Sequence, residues 1–216
     1  MKVKQIIGCL ALTIGALLSA ASLAEEGQSG FLGDYSALTK TTDAAGDTVM
    51  RYVNPNLKPG AYQQVMIDPT QYYPVPAPTK QVSADTLEEI RNYVDRGLRE
   101  KLGTKVTLAS QPGPGVLRIR PAITAVVPQT PGLKPYQVLP IAFVVTAAKG
   151  RGKEAAINME VEAVDSVTGE RMGASMRRGV GAKLANDKAP LTLRDVQPLL
   201  DRWIDTGASF IASQVK

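Results

Sequence analysis

Ala156-Ile157-Asn158-Met159-Glu160-Val161-Glu162-Ala163 alternates apolar and polar side chains. After Asp165-Ser166-Val167-Thr168-Gly169-Glu170 a second alternation follows, Met172-Gly173-Ala174-Ser175-Met176-Arg177. A period of two marks a strand with one buried face, and two such runs around a short polar stretch predict an antiparallel hairpin. A loop over residues 166–169 pairs Asp165 with Glu170, and hence Ala163 with Met172, Val161 with Ala174 and Met159 with Met176. Apolar then meets apolar throughout, whereas a slip of one residue sets every apolar side chain opposite a polar one. A two-residue loop keeps this register but demands positive φ at Val167 and Thr168. β-Branched residues resist that, so the longer loop is expected, with Gly169 as its left-handed residue. The apolar face of the hairpin is the expected floor for helices, and Glu160 and Glu162 lie on the expected wet face. By parity Arg178 falls on the apolar face, so the pairing is expected to bulge or end there.

Two stretches supply those helices. Within Ser83 to Leu102, the residues Leu87, Ile90, Val94, Leu98 and Leu102 recur at steps of three and four and form one apolar stripe. Ser83 or Asp85 can cap its start, Arg91–Asp95 and Arg96–Glu100 are spaced as pairs on its wet side, and Gly103 is a natural stop. From Thr192 to Val215, Leu193, Val196, Leu200, Trp203, Gly207 and Phe210 keep the same spacing, with Thr192 as cap, Asp195 at N3, and Pro198 weakening the first turns. Trp203 and Phe210 read as core anchors.

The remaining strands are shorter signals. Gln63 to Ile67 and Lys105 to Ala109 are brief, and Val116 to Val127 is longer. In the last, Leu117, Ile119, Ile123, Ala125 and Val127 share one face and Arg118, Arg120 and Thr124 the other. Pro121 marks an edge or a bulge there, because it cannot donate to a ladder. Residues 138–148 are uncharged and apolar, readable as a buried strand or a short helix, and too short to span a bilayer. The fold expected is therefore α+β: a mostly antiparallel sheet with two amphipathic helices on one face, in the order strand, helix, strands, helix.

Met1-Lys2-Val3-Lys4, the apolar run Ile6 to Ala21 and the small residues of Ser22-Leu23-Ala24 form a secretory leader. The expected organisation is a cleaved signal peptide (1–24), an irregular N-terminal arm (25–60) and a single α+β domain (61–216). Phe31, Leu32, Tyr35 and Leu38 are the arm's apolar cluster, placed to tuck against the core. Cys9 sits in Ile6-Ile7-Gly8-Cys9, which looks like a lipobox, yet the long apolar run follows it instead of preceding it. A lipid anchor is therefore not expected. The address expected is the periplasm, with an outer-membrane lipoprotein as the alternative, and with no transmembrane span once the leader is removed.

Composition excludes several chemistries. The chain has no histidine and a single cysteine, Cys9. Nucleophilic triads that need His, and metal sites built on His or paired Cys, are thereby excluded. Of the formal charge of +5, Lys2 and Lys4 lie in the leader, which leaves +3 from 23 basic and 20 acidic residues. That balance, without an arginine-rich helix or aromatic patch, gives no reason to expect nucleic acid as a partner. The glycine loop Lys149-Gly150-Arg151-Gly152-Lys153 lacks the spacing of a phosphate-binding loop. No catalytic residue, cofactor or metal is assigned.

The leading functional expectation is a non-catalytic interaction or assembly protein of the cell envelope with an envelope protein as partner. The second is a binder of an anionic or carbohydrate ligand through Tyr72, Tyr73, Arg118, Arg120, Arg177 and Arg178. Arg118 and Arg120 stand together on one strand face and can meet an anion, or pair with Glu160 and Glu162 on a neighbouring strand. Tyr72 and Tyr73 are adjacent in an extended Pro-rich segment, so they point to opposite sides. A carboxylate-based hydrolase using Asp68, Glu160, Glu162 or Asp165 is a remote third, since no pattern brings two of them across a cleft. No pattern assigns an oligomeric state.

Several local sequences, in order, resemble a known family. They are Gly30-Phe31-Leu32-Gly33-Asp34-Tyr35-Ser36 with Leu38, Arg51-Tyr52-Val53-Asn54-Pro55, Val65-Met66-Ile67-Asp68-Pro69 and the Asp165 to Glu170 turn. Together they resemble the bacterial lipoprotein family called domain of unknown function 3313, from about Gly30 to the C-terminal helix. The resemblance implies a Gram-negative cell-envelope protein with no assigned activity and no catalytic residues to carry over.

Overall fold

A computed structural model describes residues 28–58, 60–130 and 152–215. The expected leader, the 138–148 stretch and most of the glycine loop lie outside these residues. Among those described, eight strands form one sheet: β1 (Thr39–Thr42), β2 (Thr48–Val53), β3 (Gln64–Ile67), β4 (Gln71–Tyr72), β5 (Thr107–Leu108), β6 (Val116–Gln129), β7 (Glu154–Asp165) and β8 (Arg171–Lys183). Two helices join them, α1 (Ala84–Gly103) between β4 and β5, and α2 (Leu193–Gln214) after β8. The path through the sheet is β1-β2-β8-β7-β6-β3-β5, and β4 pairs β6 beyond the end of β3. The long ladders are antiparallel, whereas β3, β4 and β5 add parallel pairings. The α+β expectation holds.

Both helices form for the reasons legible in their sequences. The Ser83 hydroxyl accepts from the Thr86 N–H at 3.1 Å, which makes Ser83 the cap of α1. Leu87, Ile90, Val94, Leu98 and Leu102 are all buried. The ion pairs differ from those expected: Arg99 meets Asp95 and Arg91 meets Glu88, each within one turn. In α2 the Asp195 carboxylate accepts from both the N–H and the hydroxyl of Thr192, a capping box. Val196, Leu200 and Trp203 are buried as expected, and Leu199, Ile204, Ala208 and Ala212 widen the stripe. Phe210 is only half-buried.

The turn of the β7–β8 hairpin is the expected one. Asp165 N–H donates to Glu170, Gly169 N–H donates to Asp165, and Gly169 has φ +74°. The register beyond it is not the expected one. Val164 pairs Arg171, but Ala163 pairs Gly173, Val161 pairs Ser175 and Glu160 pairs Met176. Met172 is the extra residue of a bulge, and the bulge slides β8 by one position. Met172 therefore packs among the residues of α2 and β6, while Ala174 and Met176 turn to the other face. The pairing does not end at Arg178; it runs on through Asn158–Arg178 and Ile157–Gly179, and the next bulge comes near Ala155.

A second bulge corrects β6. Ile123 pairs Met159, but Ala125 pairs Asn158, so Thr124 is the extra residue. Ala125 and Val127 consequently leave the face of Leu117 and cluster with Ala156, and Val126 takes their place beneath the helices. Pro121 lies between the residues paired to β3 (Val116–Ile119) and those paired to β4 (Ala122–Ile123). The carbonyls of Ile119 and Ile123 accept from Asp68 and Tyr73 on that side, so Pro121 faces the gap between β3 and β4, where no partner calls for an N–H.

The stretch 25–60, expected to be irregular, carries β1 and β2, and β2 extends the sheet by pairing with β8. The residues before β1 cross the face opposite the helices. Leu32 and Tyr35 are buried there against Ala174 and Met176, with Phe31, Leu38, Met50 and Tyr52 around them. The sheet is covered on both faces, by helices on one and by the arm on the other. The supposed wet face is thus no longer wet: Glu160 is 0% exposed and Glu162 is 7% exposed.

Candidate functional site

The arm and the sheet enclose a polar cluster built on Glu160 and Glu162. Tyr35 donates its hydroxyl proton to Glu160 Oε2 at 2.7 Å, and the Ser29 N–H donates to Oε1 at 3.3 Å. The same Tyr35 oxygen accepts from the Gly30 and Leu32 N–H groups at 2.9 and 3.3 Å. A glycine at position 30 with φ +92° turns the chain tightly enough for that closure. Burial pushes the Glu160 carboxyl above the usual range, and the bonds from Tyr35 and Ser29 and the charge of Arg178 only partly offset it.

Glu162 is held differently. It takes Arg120 at 2.6 Å on one oxygen and Arg171 at 2.7 Å on the other. Arg171 then reaches past it to the Asp34 carbonyl at 2.9 Å and to the Leu32 carbonyl. One arginine therefore ties the arm's backbone to a sheet carboxylate. Over this cluster the Arg120 guanidinium stands 5.7 Å from the Phe31 ring, and Phe31 meets Tyr73 edge-on, also at 5.7 Å. The Gly30 to Ser36 segment is thus a clasp, and its Phe, Leu and Tyr are its three apolar contacts.

The six residues expected to bind a ligand do not converge. Tyr72 points toward α1, where its hydroxyl donates to the Leu87 carbonyl at 2.7 Å; burial drives its ionisation upward. Tyr73 points to the other side and is 40% exposed. Arg118 pairs with Asp68 at 2.8 Å instead of with Glu160, and Arg120 pairs with Glu162. Arg177 lies on the helix side of the sheet, in a buried ion pair with Asp43. Arg178 lies on the arm side, within the electrostatic reach of Glu160 and Tyr35. An anion arriving at Arg118, Arg120 or Arg177 would have to displace a carboxylate already in place.

Sequence reasoning missed Asp43, Arg171 and Tyr35 as partners. Asp43 sits in the β1–β2 turn, where it also accepts from Thr206 of α2 at 2.9 Å and from the Asp47 N–H. Burial alone would raise its carboxyl, yet the bonds from Arg177, Thr206 and Asp47 outweigh burial and hold it below the usual range. Arg202 of α2 meets Asp47 at 3.3 Å, so the same turn is tied twice to the helix. Among the candidate acids, Asp165 accepts from the Tyr62 hydroxyl at 3.0 Å, and Tyr62 is pushed up to about 12, first by burial and then by this bond. Among the described residues no group of three or more acidic or cysteine side chains could hold a metal ion. Nor is any described helix long and apolar enough to cross a membrane.

Gly30 to Ser36 in the clasp, Arg51 to Pro55 at the end of β2, Val65 to Pro69 at the end of β3 and the Asp165 to Glu170 turn are the segments of family resemblance, and the family's sequence profile, described as "Protein of unknown function (DUF3313)", matches residues 27–206. The chain belongs to this family. It is similar to the uncharacterized lipoprotein YdcL of Escherichia coli (strain K12), 34% identical over 177 residues that cover 80% of each chain. Among solved structures it is similar to a leucine-to-methionine variant of the PelC dodecamer from Paraburkholderia phytofirmans, at 12% identity and TM-score 0.40, covering 77% of this chain and 95% of that one. It is also similar to the hypothetical protein CT253 from Chlamydia trachomatis, at 11% identity and TM-score 0.44, covering 72% of this chain and 98% of that one. Likenesses as distant as these two carry nothing about activity.

The Gly30 to Ser36 segment has a definite role in this fold. Gly30, Tyr35 and the Asp34 carbonyl are the pieces that close over Glu160 and Arg171. One of the segments of resemblance is therefore a structural device of this chain.

Proposed function

We propose that this family member is a non-catalytic interaction or assembly protein of the bacterial cell envelope, working on the periplasmic side of a membrane. The secretory leader and the lipoprotein relative support the address. The absence of histidine from the whole chain and the internal pairing of Arg118, Arg120 and Arg177 support a role without catalysis.

The observation that carries the reading is the segment Tyr73-Pro74-Val75-Pro76-Ala77-Pro78. Val75 is 88% exposed, the largest exposure among the described large apolar side chains, and it stands next to the half-exposed Tyr73. Closely spaced prolines restrict the backbone of such a segment and lower the entropy lost when a partner binds it. Its ends are anchored, at Tyr72 to α1 and at Thr79, which accepts from the Gln81 and Val82 N–H groups. A rigid, apolar, solvent-facing strap on a closed scaffold is the form of a recognition surface.

A photo-crosslinking residue placed at position 75 tests this in intact cells. A discrete crosslinked band containing a second envelope protein, lost when Tyr73 and Val75 are both changed to Ser, is the expected result. A chain that stays a clean monomer under several growth conditions overturns it.

A further inference from the structure

A pocket of about 90 Å³ opens between α2 and the sheet, on the face opposite the clasp. Its inner end is closed by the buried Leu98, Ile119, Trp203 and Ile204. Its rim is half-exposed, formed by Gly207 and Phe210 of α2 and by Arg51 and Ser175 of β2 and β8. A Cβ built on Gly207 would meet nothing within 4 Å, so the space exists because a helix position that could carry a side chain carries none.

The charge at the rim is unbalanced. The Arg51 guanidinium lies 3.8 Å from the centroid of the Phe210 ring and makes no carboxylate ion pair among the described residues. Arg177 lines the pocket as well, and its charge is taken by Asp43; Arg202 on the adjoining turn of α2 is taken by Asp47. Three arginines thus share two aspartates, leaving one net positive charge over an apolar hole. A cation held half out of water on an aromatic ring is open to a charge-assisted bond from an anion.

We propose that this pocket binds a free single-chain anionic amphiphile, with the end of its alkyl chain in the pocket and its carboxylate or phosphate head on Arg51. An engineered apolar cavity of about 150 Å³ holds a benzene ring, so the smaller space here suits the last few carbons of a chain, with the rest lying along the open rim. One unbalanced charge matches one head group. A bilayer surface would call instead for a cluster of roughly four to eight basic side chains. The site is independent of the strap at Val75.

Trp203 is the protein's single tryptophan and lines the pocket, so its emission reports occupancy directly. The full chain is titrated below the micellar range with octanoate, octyl phosphate, octan-1-ol and octylammonium. Saturable changes are expected with both anions, about tenfold weaker with the alcohol, and none with the ammonium. Arg51→Gln should bring octanoate down to the affinity of the alcohol. Gly207→Leu should abolish every response while raising the melting temperature, because leucine is the better helix former. The proposal is overturned by any of three results: no saturable response in the unmodified protein, equal affinity for octanoate and octylammonium, or undiminished binding in Gly207→Leu. Octanoate preferred with octyl phosphate silent assigns a carboxylate head; the reverse assigns a phosphate.

Discussion

Replacing Tyr35 by Phe removes a single oxygen that serves four bonds: one donated to Glu160, two accepted from the Gly30 and Leu32 N–H groups, and one shared with the Ser29 hydroxyl at 3.4 Å. The ring stays, so the apolar contacts with Ala174 and Met176 are kept. A hydrogen bond to a charged acceptor contributes about 1.5–3 kcal/mol, and an orphaned backbone N–H adds to the loss when water cannot reach it. The expected cost near neutral pH is about 3 kcal/mol, a large share of the roughly 5–15 kcal/mol that holds a domain folded. Glu160 makes the cost depend on pH. Its folded carboxyl is raised, chiefly by burial, so its contribution to stability is complete below the ordinary glutamate value of about 4.3 and is lost as pH rises through the folded value. The Tyr35 bond favours the charged form, so Tyr35→Phe pushes that carboxyl higher still and widens the window. Urea unfolding followed by Trp203 fluorescence, from pH 4 to pH 8, should show the gap between variant and wild type growing with pH. Glu160→Gln, which cannot ionise, should gain on wild type over the same range. A loss under about 0.5 kcal/mol, the scatter of ordinary surface changes, or one equal at both ends of the range, would refute the account of the clasp.

Three further outcomes follow from the packing of α2 and the caps. A Cβ at Gly181 would lie 2.0 Å from the Asp195 carbonyl, so Gly181→Ala must lift the start of α2 off β8; a loss of at least about 1–3 kcal/mol in thermal unfolding is expected. Asp43→Asn leaves Arg177 buried without its counter-charge and should cost about 3–5 kcal/mol at neutral pH. Because the Asp43 carboxyl is lowered in the folded chain, that advantage of the wild type should be present above the ordinary aspartate value and fade as pH falls through the folded one, as acid titrations of both proteins would read. Ser83→Ala removes the cap of α1 and should cost about 1 kcal/mol in urea unfolding.

The parts of the fold that could be read from the chain are those whose cause is local. Leu87 to Leu102 and Val196 to Trp203 show their stripes within single segments, and Ser83, Thr192 and Asp195 cap by reaching only three residues. The Asp165 to Glu170 turn was legible for the same reason: its hydrogen bonds join neighbours, and Gly169 takes the one positive φ it needs. The register of β8 was not legible. The apolar-on-apolar rule assumes that one face of the sheet is wet, and here Ala174 and Met176 are apolar because the clasp covers them. β1 was missed because all four of its residues are exposed, so no alternation betrays it.

The expected site failed along the same line. Arg120 with Glu162 was in reach of the sequence because adjacent strands put them opposite each other. Arg177 with Asp43 was not, nor was Glu160 with Tyr35, since those partners stand 134 and 125 residues apart in the chain and meet only after two layers have closed over the sheet.

The sequence by itself determined the two helices, the hairpin turn, the α+β class and the exclusion of histidine chemistry, each through spacing within a few turns of chain or through composition. Only the tertiary structure decided which side chains of β8 join Met159, Val161 and Ala163 of β7 in the floor beneath the helices. The one-residue bulge at Met172 exchanges the faces of β8, and a clasp from the far end of the chain makes both faces dry. Glu160 is acidic on paper and sealed in the fold. A side chain's burial is set by what packs over it, and that partner comes from anywhere in the chain.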